Sequence, residues 1–115
     1  MLSNTTWIDE YNKELERAMQ ARRIGNEGMA RVCARRAAGI VIGEYLSLRS
    51  YPGLNDSSYD RLNLFSQLPD VPEDCKAVSR HLLMKVNQEH NLPVGTDLIQ
   101  EVIWLKDYLL PNSDH

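Results

Sequence analysis

The sequence predicts an all-α protein, an up-and-down bundle of four main helices plus one short helix, in a single domain over residues 1–115. Three observations carry this expectation. Apolar residues recur at spacings of three and four along most of the chain, the period of an amphipathic helix. There is one Phe and there are few β-branched runs, which argues against an all-β sandwich. Pro or Gly delimits each apolar segment. At 43% hydrophobic and 25% charged, the composition is that of a globular domain rather than a disordered or disulfide-stapled chain.

Thr6 is a candidate N-cap for the first helix, with Asp9 three residues on. Ile8, Tyr11, Leu15, Ala18, Met19 and Arg22 then form one stripe, opposite a charged face of Glu10, Lys13, Glu14 and Arg17, and predict a helix over Trp7–Arg23. Gly25 suits a left-handed helix end and Asn26 a cap for the next helix. So short a connection folds the second helix back antiparallel on the first; an unbroken helix through both glycines is the alternative.

The second helix, about Glu27 to Leu48, carries Ala30, Cys33, Ala34, Ala37, Ala38, Val41, Tyr45 and Leu48 on one stripe. Small residues there let another helix approach closely, and Met29, Val32, Ile40 and Leu46 widen the apolar surface, so this helix is expected at the centre. Tyr51-Pro52-Gly53 breaks the chain, and Ser57 or Ser58 caps a short helix containing Tyr59, Leu62, Phe65 and Leu68 that stops before Pro69. Pro72, Glu73 and Asp74 suit the first turn of a fourth helix whose buried stripe is Cys75, Val78, Leu82 and Val86 and whose C-terminal end holds His90. Asn91 to Gly95 is the last connection. Thr96 caps the fifth helix, with a seam of Leu98, Val102, Leu105 and Leu109 and with Ile99, Ile103 and Leu110 beside it, and Pro111 stops it.

Cys33 and Cys75 lie inside helical patterns without a CxxC, and are read as reduced core residues. The N-terminal residues lack a basic segment followed by an apolar stretch, so no signal peptide is expected, and Ala37–Ile42 is too short for a membrane span. A cytoplasmic protein without membrane attachment is the resulting expectation. No Glu is followed three residues later by His, as a di-iron bundle would require, and His81, His90 and His115 have no metal-binding spacing; no metal or cofactor is expected. GxSxG, P-loop and GxGxxG patterns are missing, so no catalytic residue is assigned.

The charge distribution is uneven. Residues 17–36 hold six arginines against Glu27 alone, a balance of +5, whereas residues 51–115 carry a balance of −5. In an antiparallel hairpin, Arg22, Arg23, Arg31, Arg35 and Arg36 gather near one end, where guanidinium forks suit phosphate or carboxylate oxygens. They are the candidate ligand-binding residues. The alternative is that acidic groups of the later helices, such as Asp74, Glu101 and Asp107, or of a second subunit, neutralise them.

A helix ending in a Gly-containing turn, a long Ala- and Arg-rich helix (Met29-Ala-Arg-Val-Cys-Ala-Arg-Arg-Ala-Ala-Gly-Ile), a short helix, and a passage through Leu92-Pro93 to Asp97-Leu98-Ile99 into a last helix at Val102–Leu110 together resemble the HEPN (higher eukaryotes and prokaryotes nucleotide-binding) family. The family's ribonuclease members carry Arg, four to six residues, then His. Arg80 precedes His81 directly and lies ten residues before His90, so that motif is missing here. The resemblance therefore implies the non-catalytic branch, which binds nucleotides or partners such as nucleotidyltransferases. The expected function is a binding or accessory module, taking a nucleotide, RNA or partner protein through the Arg-rich end. A homodimer is also expected, because Ile99, Ile103, Trp104 and Leu110, with Met29, Val32 and Ile40, exceed the apolar width that one groove needs. The alternatives are a metal-independent ribonuclease with a composite dimer site built from Arg80, His81 or His90, and a purely structural scaffold.

Overall fold

The structure, a computed structural model, describes residues 6–84 and 97–111. Val86, His90, Thr96 and His115, to which the sequence assigns places, lie outside the described residues. Among the described residues there are five helices and no strand: α1 (Thr6–Arg23), α2 (Glu27–Leu48), α3 (Ser58–Gln67), α4 (Glu73–Leu83) and α5 (Leu98–Leu109). The protein is an all-α helical bundle, and α2 is its centre, touching each of the other four helices.

The hairpin between α1 and α2 follows from two residues. Gly25, at φ +81°, takes the left-handed position, its N–H donating to the Arg22 carbonyl and that of Asn26 to the Ala21 carbonyl. This pair of bonds satisfies the last carbonyls of α1, and a Cβ at residue 25 would make the backbone conformation costly. Asn26 then caps α2, its side-chain oxygen accepting from the Met29 N–H at 3.1 Å. With the chain reversed, Ala18 and Ala21 of α1 pack on the small stripe of α2, where Ala30, Cys33, Ala34, Ala37 and Ala38 are buried.

On another side of α2 the approach is closer still. A Cβ built on Gly39 would lie 3.0 Å from the Ser58 Cα, and one on Gly43 would lie 2.7 Å from the Arg61 guanidinium carbon. The two glycines, four apart and so on one face, are therefore the seat of α3. Ser57 caps α3 by accepting from the Asp60 N–H, and Leu62 and Phe65 enter the main core beside Val41, Ile42, Leu46, Leu82, Val102 and Leu105. A smaller cluster of Ala18, Cys33 and Ile99 joins α1, α2 and α5.

Several element ends differ from expectation. Thr6 is the first helical residue of α1 rather than its cap, and Pro72 is the N-cap of α4 rather than part of its first turn. Helix α4 ends at Leu83, short of Val86, because Met84 turns to an extended conformation (ψ 138°). Asp97 caps α5, its carboxylate accepting from the Ile99 and Gln100 N–H groups. Ile99 and Leu110 are buried within the chain and Ile103, Val32 and Ile40 are half-buried, so only Met29 and Trp104 of the expected apolar surplus are exposed.

Candidate anion-binding groove

The structure distributes the five candidate arginines over three environments. Arg22, at the end of α1, is neutralised. Its guanidinium donates to Glu27 at 3.0 Å and to Asp97 at 2.8 Å, tying the hairpin turn to the start of α5. These two hydrogen bonds hold Arg22 more firmly protonated than usual, and the bond from Arg22 keeps the Asp97 carboxyl below its ordinary pKa. Arg23 is exposed on the outer side of the same turn.

Arg31 and Arg35, one turn apart on α2, face the C-terminus of α4. Arg35 Nε donates to the Leu82 carbonyl at 3.0 Å, and Arg31 Nη1 to the Met84 carbonyl at 3.3 Å. The last carbonyls of a helix lack intrahelical partners and carry the negative end of its dipole, so two cations are well placed there. Neither guanidinium meets a carboxylate among the described residues. Burial, and then the neighbouring charge of Arg31, push the Arg35 pKa below its usual value. Among the described residues, Arg31 and Arg35 are thus hydrogen-bonded by backbone carbonyls and are not neutralised by Asp74, Glu101 or Asp107, the carboxylates of the alternative reading.

Arg36, exposed and without an ion pair among the described residues, brings the third environment together. With Arg35 and Arg61 it lines a groove of about 480 Å³ bounded by α1, α2 and the start of α3. Val32 and Ile40 supply apolar wall, Ser58 a hydroxyl, and Glu14 and Asp56 carboxylates. Arg61 is fixed in place: Nε donates to the Asn55 carbonyl at 2.7 Å and Nη1 to the Gly39 carbonyl at 3.1 Å, with Asp56 at 3.6 Å from Nη2. One Glu14 oxygen pairs with Arg17 at 3.3 Å, while the other, Oε1, is buried without a hydrogen-bond partner among the described residues. The groove can therefore offer guanidinium donors to an anion.

No protein-family model, curated protein or solved structure matches the chain. The site accordingly stands on its own geometry. Arg61 is its unforeseen member. It belongs to the acidic part of the sequence, and its placement depends on Gly39 and Gly43, whose four-residue spacing within a helix is the one local sign of a close neighbour.

Other candidate groups are occupied by structural contacts. His81 Nδ1 lies 2.8 Å from Glu101, joining α4 to α5, and Arg80 is paired with Glu73 on its own helix. Both cysteines are free and buried, and desolvation raises their thiol pKa values, so neither is an activated nucleophile. Among the described residues, no three His, Cys, Asp or Glu side chains converge as a metal site, and no helix is long and apolar enough to cross a membrane.

Proposed function

We propose that the protein is a non-catalytic binding or accessory module that takes a nucleotide in the groove lined by Arg35, Arg36 and Arg61. The observation that carries this reading is that three arginines, Arg35, Arg36 and Arg61, line one groove beside the apolar side chains of Val32 and Ile40. A phosphate fits the arginines, and Val32 and Ile40 offer apolar wall to a base that a bare phosphate lacks. A HEPN-like kinship belongs to the same proposal, supported by helix order and the Ala- and Arg-rich composition of α2. So does a homodimer, for which the support is the exposed stack of Trp104 on Tyr108, ring centroids 5.4 Å apart, along α5.

Calorimetric titration with ADP, ATP and inorganic phosphate tests the reading. Nucleotide should bind more tightly than phosphate. Arg36→Ala should weaken nucleotide binding about ten- to a hundredfold, the loss of a charged hydrogen bond of roughly 1.5–3 kcal/mol, with the melting temperature unchanged. Absence of saturable binding by any of the three ligands would leave the scaffold reading in its place.

A further inference from the structure

A second groove, of about 610 Å³, runs along the outer side of the α1–α2 hairpin and shares only Arg36 with the first. On α1 and the turn residue after it the lining recurs at Lys13, Arg17, Gln20 and Ile24, and on α2 and its N-cap at Asn26, Met29, Cys33 and Arg36, so it follows one face of each helix. From Lys13 to Ile24 is three turns, about 16 Å. Its two ends differ in chemistry. The turn end exposes Ile24 (78%) and Met29 (47%) beside Gln20 and Asn26, while the far end gathers Lys13, Arg36 and an Arg17 already paired with Glu14, against Glu16.

We infer that this groove docks an amphipathic helix of a partner protein, about three turns long, with aliphatic residues at the end that meets Ile24 and Met29 and carboxylates at the end that meets Lys13 and Arg36. Charge complementarity selects an acidic partner, and the length and helical spacing of the lining select a helix lying in a groove. Nucleic acid fits less well, since none of the lining residues is aromatic and bases would find nothing to stack on. A second copy also fits less well. The acidic surface that this chain would offer, around Asp74 and Glu101, is itself a groove, and Glu101 is engaged by His81.

Selection of a displayed random library of peptides of about 12 residues against the folded protein, with the Ile24→Glu variant as counter-target, tests the inference. Enriched peptides should place Leu, Ile or Met at helical spacing toward one end and Asp or Glu toward the other. The best of them should bind about tenfold more weakly to Ile24→Glu and to Lys13→Glu, both exposed positions, at unchanged melting temperature. Nucleotide titrated into Ile24→Glu should bind as in the parent, so loss of the peptide and loss of the nucleotide are separate outcomes. Enrichment of basic peptides, equal enrichment on the counter-target, or no enrichment at all would overturn the inference. A dimer by light scattering that Ile24→Glu converts to monomer, or a uridine oligonucleotide that the same variant releases, would overturn it in favour of that occupant.

Discussion

Gly39 and Gly43 look equivalent in the sequence, both in the middle of a helix and both without a side chain to pack. Their surroundings differ. The nearest backbone to an added Cβ at residue 39 is the Ser58 Cα at the first residue of α3, which cannot move without shifting that helix. At residue 43 the obstacle is the Arg61 guanidinium, which is hydrogen-bonded to the Asn55 and Gly39 carbonyls but can move without shifting a helix. Gly39→Ala should therefore cost about 1–3 kcal/mol, the usual result of overpacking. Gly43→Ala should cost less, about 1 kcal/mol, because the helix-propensity gain from Gly to Ala offsets part of the loss of the Arg61 hydrogen bonds. Urea denaturation of the two variants measures both. Equal losses would mean that Arg61 is held as rigidly as backbone. A close approach at these glycines is legible from their spacing. That Ser58 and Arg61 are what approaches is not, since it depends on the path of the chain between Leu48 and Ser58.

At the scale of elements, the helices whose ends are set locally are the ones the sequence places well. Asn26 and Ser57 act as caps, Gly25 turns the hairpin, and the stripe of α2 is buried from Ala30 to Val41, while Tyr45 is half-buried and Leu48, at the end of the helix, is exposed. The end of α4 is different. Its apolar stripe continues in sequence to Val86, yet the helix stops at Leu83, where the carbonyls of Leu82 and Met84 are taken by Arg35 and Arg31 from a helix about fifty residues earlier. No local pattern carries that information, and the same contact removes Arg31 from the candidate site. Arg35→Ala should accordingly destabilise the fold by roughly 1.5–3 kcal/mol, the range for a hydrogen bond to a charged group whose carbonyl partner is left unpaired. Arg36→Ala, at an exposed position without an ion pair among the described residues, should change stability by less than about 0.5 kcal/mol. Thermal unfolding of the pair distinguishes a helix-end contact from a ligand contact on adjacent residues.

For the molecule as a whole, the core is asymmetric in how it depends on pH. Tyr11 of α1 is 3% exposed and packs into the main hydrophobic cluster, the one tyrosine fully inside it. Burial, and after it the negative charge of Asp107 on α5, push its hydroxyl up from 10 to about 12. The folded chain thus holds the Tyr11 proton through a range in which the unfolded chain has released it. Stability from this group is complete below pH 10 and is lost as the pH rises toward 12. The loss is on the order of 2 kcal/mol across that window. Replacing the hydroxyl removes the titration and leaves the ring, so Tyr11→Phe should flatten the fall in urea midpoint between pH 10 and 12. Tyr108→Phe, at a half-exposed site on α5, controls for the general effect of alkali on the lysines and surface tyrosines. An unchanged slope in Tyr11→Phe would mean that the alkaline weakening comes from elsewhere, with the α1–α5 contact near Tyr11 opening before the phenol ionises.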